Sequence, residues 1–145
     1  MKVIDGFIHE TIGFTCSCFD LLHAGHIIML RYAKARCDKL IVGLQTDPTI
    51  DRSDTKNKPI QSLEERRIQL EAVKYVDETF TYNTEEELYK KLLDINPDVR
   101  ILGSDYIGKS FTGDDLDIKI YYHDRNHNYS TTNLRKKIVS EHIHW

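Results

Sequence analysis

The chain has 145 residues, 40% hydrophobic and 30% charged, with a formal net charge of −3. That length supports one domain with a continuous core and is short for two, and the slight acidity gives no reason to expect nucleic acid or an anionic membrane as partner. No apolar run approaches a membrane-spanning helix, the first residues carry no signal-peptide apolar core, and three cysteines without framework spacing point to a reducing compartment. A cytoplasmic protein is therefore expected.

Residues 1–12 hold one short apolar stretch and then polar residues, and read as an extension with a strand or hairpin. Gly13 to Cys18 reads as the first core strand, with Cys16 and Cys18 on one face as small buried thiols. A helix follows from about His26 to Arg36, with Ile27, Ile28, Met29, Leu30, Tyr32 and Ala33 supplying its inward positions. Lys39 to Leu44 is a second buried strand, which makes a right-handed βαβ unit. The polar segment around Asp51 to Pro59 has no hydrophobic period and is a loop.

Ser62 followed by Glu65 is a capping box, opening a helix through Ile68, Leu70, Ala72 and Val73. Tyr75 to Phe80 is a short third strand, and Glu85 to Leu93 an amphipathic helix with Leu88, Leu92 and Leu93 inward. Asn96-Pro97 stops that helix, Val99 to Gly103 is a fourth strand and Ile118 to Tyr122 a fifth. Ser130 caps a last helix through Leu134 and Ile138. Strands alternating with helices predict an α/β fold: a Rossmann-like three-layer α/β/α sandwich on a parallel five-stranded sheet, spanning residues 13–139. Residues 140–145 form a tail, whose His142 and His144 do not by themselves specify a metal site.

The most informative stretch is Thr15-Cys16-Ser17-Cys18-Phe19-Asp20-Leu21-Leu22-His23-Ala24-Gly25-His26. A buried strand breaks at a turn and opens a helix, whose first-turn N–H groups and dipole favour an anion. His23 and His26 share one side of that turn. Two imidazoles at an anion hole suit phosphate chemistry better than zinc, which on a helix prefers i,i+4 spacing and further ligands.

His-x-Gly-His after Phe-Asp-Leu-Leu resembles the signature of the nucleotidyltransferase superfamily, and the chain is most similar to the glycerol-3-phosphate cytidylyltransferases. The resemblance runs from about Thr15 to Ile138. It includes Lys56-x-Lys58 in the polar loop, Glu65-Arg66-Arg67 and Lys74-Tyr75-Val76-Asp77-Glu78 beyond it, and Gly103-Ser104-Asp105-Tyr106 after the fourth strand. Arg125 and Ser130-Thr131-Thr132 complete it. The chain departs from the family pattern at Ser17, where glycine is usual, at Lys74, where arginine is usual, and at Asn126 to Tyr129, which lack the expected threonine and glycine. Lysine keeps the charge of arginine and loses its fork.

The resemblance implies transfer of CMP from CTP to a phosphorylated small alcohol, with glycerol 3-phosphate as the nearest acceptor, releasing pyrophosphate. It implies that His23, His26, Lys56 and Arg125 act on the phosphates, while Cys16, Ser17, Cys18, Phe19, Asp20 and Gly25 line the nucleotide. Lys58, Lys74, Gly103, Asp105, Ser130 and Thr131 join them. Mg²⁺ is expected with the triphosphate, with Asp20 as a carboxylate able to assist it, and a homodimer is the family expectation. Two other readings stand beside this one: an adenylyltransferase of the same superfamily acting in cofactor synthesis, and a non-catalytic nucleotide-binding protein.

Overall fold

The computed structural model describes residues 1–141, so the tail histidines His142 and His144 lie outside the described residues. The chain opens with an antiparallel hairpin, β1 (Lys2–Ile4) and β2 (Phe7–His9). Asp5 and Gly6 both take positive φ, 51° and 83°, the requirement of a tight two-residue hairpin turn. The hairpin is tied to the body by an ion pair of Lys2 with Asp98 and by the N-terminal amine, 2.9 Å from Asp38.

Five parallel strands then form the sheet: β3 (Ile12–Ser17), β4 (Lys39–Gln45), β5 (Glu78–Tyr82), β6 (Val99–Gly103) and β7 (Lys119–His123). Their spatial order is β5-β4-β3-β6-β7, with every pairing parallel. Chain direction away from the centre reverses between β3 and β6, and such a switch point opens a crevice at the carboxyl ends of the strands.

Four helices cover the sheet: α1 (Ala24–Lys34), α2 (Leu63–Glu71), α3 (Glu85–Ile95) and α4 (Thr131–Glu141). Side chains alternate along each strand, so the two faces build separate cores. Leu40, Val42 and Leu44 of β4 pack with Leu30 and Ala33 of α1 and Leu70 of α2. On the opposite face Phe14 of β3 and Tyr82 of β5 pack with Leu88 and Leu92 of α3. This is the expected three-layer α/β/α sandwich.

Three local expectations are corrected. The third strand begins at Glu78 and not Tyr75, because Asp77 pins the preceding turn to the head of β4. Its carboxylate accepts from the Leu40 N–H at 2.7 Å and the Lys34 ammonium at 2.6 Å, while its own N–H donates to the Leu40 carbonyl. Tyr75 and Val76 then turn into the core. Leu93 is 54% exposed, since the buried stripe of α3 follows Leu88, Leu92 and Ile95 at helical spacing and leaves the next position outside. Ile138 is also exposed, with α4 packing instead through half-buried Leu134 and Arg135.

Candidate active site

The turn between β3 and α1 is strained where it matters. Phe19 and Leu21 both sit at φ 51°, a conformation uncommon for side chains of their size. Phe19 is buried in the core and lies against the His26 ring, centroids 5.3 Å apart. The turn thereby delivers His23 to the N-cap of α1, and the helix begins at Ala24, two residues before the expected start at His26.

The two histidines close a capping box on each other. His23 Nδ1 accepts from the Gly25 N–H at 3.0 Å, and His26 Nδ1 accepts from the His23 N–H at 3.2 Å. An imidazole accepting at Nδ1 while neutral carries its proton on Nε2. Both rings are therefore Nε2–H donors, stacked at 3.8 Å between centroids. Burial, then His23 and Arg125 nearby, push His26 down to about 3, and burial with His127 and Arg125 also lowers His23. Neutral, oriented donors face a cleft of about 600 Å³ at the switch point, lined by both histidines.

Gly25 is needed for closeness. A Cβ there would lie 2.7 Å from the Tyr129 carbonyl oxygen and 2.9 Å from His23 Cε1, so the loop before α4 rests directly on the first turn of α1. Gly103, ending β6, has the same role: its Cβ would meet Asp105 Oδ1 at 2.4 Å and approach Arg125 Nη2 at 3.4 Å. Asp105 and Tyr106 form a 3-10 turn on the cleft wall, and Arg125 lines the same space.

A smaller arm of about 370 Å³ continues past His26 between the polar loop and the start of α4. Ser17, Cys18, Phe19 and Asp20 form its floor, and Lys56 and Thr131 its sides. Ser130 caps α4 by accepting from the Asn133 N–H at 3.0 Å, which leaves its hydroxyl proton to donate. Thr131 Oγ1 donates to the Asp20 carbonyl at 3.1 Å. First-turn residues of both α1 and α4 line one space, so both helix N-termini favour an anion there. Cys16 is half-buried, and desolvation raises its thiol, so it enters the wall as a neutral group.

Three expectations change. Lys74 precedes β5 at the amino edge of the sheet, the end opposite the cleft, with its ammonium 5.2 Å over the Tyr75 ring; it does not line the site within this chain. Lys58 is 81% exposed, 3.9 Å from Asp47, and leaves Lys56 as the member of the pair that lines the cleft. Asp20 is committed largely to protein donors rather than turned wholly to the cleft. Its Oδ1 accepts from the Gln61 N–H, and its Oδ2 from the Ile60 N–H and Arg135. Burial pushes its carboxyl up, but these donors outweigh it and hold the group below its ordinary value. Asp20 latches the polar loop to α4.

Arg66, expected from its Glu65-Arg66-Arg67 motif to be either a surface charge or a structural or ligand residue, is structural: 2% exposed, it donates to the carbonyls of Gln61, Cys18, Gln45 and Thr46, bracing the ends of β3 and β4 beneath the site. Other residues were missed by pattern reading. Arg135 and Lys136, one turn into α4, line the smaller arm. Gln45 and Arg100 lie buried in the main cleft wall. Their only signal was a polar residue ending or interrupting an apolar strand, as in Val99-Arg100-Ile101. Among the described residues no group of three or more His, Cys, Asp and Glu could hold a metal ion, and no helix is long and apolar enough to cross a membrane.

A parallel sheet, a switch-point cleft and two neutral histidines at a helix N-terminus define a nucleotidyltransferase. Residues 14–137 match the cytidylyltransferase-like family model, and the chain belongs to that family. It is 44% identical over 105 residues to the bifunctional protein HldE of Wolinella succinogenes, covering 72% of this chain and 22% of that one. The HldE of Caulobacter vibrioides is 38% identical over 135 residues, covering 89% and 27%. The chain thus spans about a quarter of the length of these curated relatives. Among solved structures, a lipopolysaccharide core biosynthesis protein from Thermoplasma volcanium is similar, with a TM-score of 0.64 and 27% identity over 84% of this chain and all of that one.

Proposed function

We propose that the protein transfers AMP from ATP to a phosphorylated sugar-type acceptor, releasing pyrophosphate. The observation that carries transfer is the pair of imidazoles held neutral as Nε2–H donors in a cleft lined by first-turn residues of both α1 and α4. Kinship with the HldE proteins supports adenylyl over cytidylyl transfer, and similarity to a lipopolysaccharide core biosynthesis protein supports a sugar-type acceptor.

In this reading an oxygen of the acceptor phosphate attacks the α-phosphorus in line. A new P–O bond forms, the bond to the β-bridging oxygen breaks, and pyrophosphate leaves with that electron pair. His23 and His26 donate to α-phosphate oxygens as charge builds on them, and Lys56 and Arg125 neutralise the transferred and departing groups. Ser130 and Thr131, at the N-terminus of α4, hold the β- and γ-phosphates. Gly103 and Asp105 approach the nucleoside. Mg²⁺, if bound with the triphosphate, would supply further neutralisation of phosphate charge.

The cytidylyl reading retains support from the order of Arg125 and Ser130-Thr131-Thr132, and from Lys74-Tyr75-Val76-Asp77-Glu78. Pyrophosphate release with Mg²⁺ and each of ATP, CTP, GTP and UTP, against hexose phosphates and glycerol 3-phosphate, separates the two. ATP with a sugar phosphate is the expected pair. CTP with glycerol 3-phosphate would return the assignment to a glycerol-phosphate cytidylyltransferase, and triphosphate binding without release from any pair would leave a binding protein.

A further inference from the structure

On the α3 side of the cleft, Gln45 and Tyr82 at the carboxyl ends of β4 and β5 and the Arg100 side chain from the start of β6 line a polar wall that the phosphate chemistry does not use. Gln45, the last residue of β4, is 4% exposed, and its amide Nε2 has no acceptor among the described residues. Arg100 of β6 is 3% exposed. Its Nη1 donates to the Thr112 carbonyl and its Nη2 lies 3.9 Å from Cys16 Sγ, but its Nε also lacks an acceptor.

A carboxylate stands across from these donors. Glu85, in the first turn of α3, accepts from Thr112 Oγ1 at 2.8 Å and lies 3.7 Å from Arg52 Nη2, while Arg52 Nε is a third buried donor without a partner. Gln45, Arg52, Tyr82, Glu85, Arg100 and Thr112 line the same cleft as His23 and His26. Native proteins pair nearly all buried polar groups, so three unpaired donors in one wall mark a place where a ligand completes the bonding.

We propose that this wall reads the hydroxyl groups on the body of the phosphorylated acceptor, with Gln45 and Glu85 as its specificity-determining residues. The inference rests on the transfer reading, which puts the acceptor phosphate at the histidines and the rest of that molecule deeper in the cleft. A hydroxyl both accepts and donates, so a polyol satisfies the amide and guanidinium N–H groups and the Glu85 carboxylate together. An alkyl chain leaves all of them unpaired, and a second anionic group meets Glu85. Polar sites of this kind discriminate strongly against analogues that lack the matching hydroxyl.

Calorimetric titration of the whole chain, with Mg²⁺ and a non-hydrolysable ATP analogue present, tests this directly. Mannose 1-phosphate and glucose 1-phosphate are compared with n-propyl phosphate. At least one hexose phosphate is expected to bind tenfold or more tightly than the alkyl phosphate. Gln45→Met and Glu85→Gln, each checked for an intact thermal transition, should reduce that ratio below threefold while ATP-analogue affinity stays within twofold. Equal binding of all three probes to the native chain, or a ratio that survives in both variants, overturns the wall as the reader of hydroxyls. The transfer reading is judged separately by pyrophosphate release. Its failure with a hydroxyl-dependent binding ratio intact would remove the reaction and keep the binding wall.

Discussion

His23 and His26 stack at 3.8 Å, and each commits Nδ1 to a backbone N–H of the turn that carries them. Structure and chemistry are therefore separable within one ring: Nδ1 caps the helix and Nε2 faces the phosphates. His26→Asn keeps an acceptor near the Nδ1 position and removes the distal donor, whereas His26→Gln reaches further but loses the cap geometry. We expect His26→Asn to melt within a few degrees of the native chain and to lose roughly 10²- to 10³-fold in turnover, the usual effect of removing one transition-state donor. Steady-state kinetics beside a thermal melt checks both, and unchanged turnover would take His26 out of the chemistry.

Stability should fall in acid through the same histidine. Burial and its neighbours lower His26 from an ordinary 6.5 to about 3. Between those values the unfolded chain binds a proton that the folded chain refuses, so unfolding is favoured as pH falls. This contribution is intact above about pH 6.5 and is lost progressively toward pH 3. Urea midpoints measured from pH 7.5 to 4 should show it, with a shallower slope in His26→Asn.

Gly25→Ala would put a methyl 2.7 Å from the Tyr129 carbonyl and against the His23 ring. Backbone must then move, shifting the loop before α4 and the cap histidine together. A fall in kcat/KM of about 100-fold with little change in melting temperature is expected, because misplacement of about 1 Å at a reacting centre carries a cost of that size.

Asp20→Asn tests the latch between the polar loop and α4. An amide oxygen can still accept from one of the Ile60 and Gln61 N–H groups but no longer holds the Arg135 charge. With the loop that carries Lys56 loosened, the KM for the triphosphate should rise roughly tenfold, the scale of a lost charge-assisted hydrogen bond. A proportional loss in kcat with unchanged KM would argue instead that Asp20 acts at the reacting atoms.

Arg66→Met removes the donors of four carbonyls under the cleft floor. Stranding these buried acceptors should cost about 3 kcal/mol or more, a drop of roughly 10 °C in Tm for a domain of this size. Arg66→Lys should recover only part of it, since one ammonium cannot span carbonyls from three segments. A differential-scanning melt of the two variants is sufficient.

The sequence by itself determined the parallel α/β architecture, the strand–turn–helix carrying His23 and His26, and the capped starts of α2 and α4, because each is written in local periodicity or cap chemistry. Lys56, Gly103, Arg125 and Thr131 were also legible, through the order of short motifs. Tertiary structure decided which charges belong to the site. Lys74 and Lys56 look alike as loop lysines, but strand direction puts one at the amino edge of the sheet and the other at the carboxyl edge. Asp20 reads in the sequence as a carboxylate able to assist a metal, and the fold gives it a structural task as well, accepting from Ile60, Gln61 and Arg135. Arg66, Gln45 and Arg100 gain their roles only when elements far apart in the chain are brought together. Periodicity records which face of an element is buried; a polar side chain's role depends on partners 20 or more residues away, and only the folded chain supplies them.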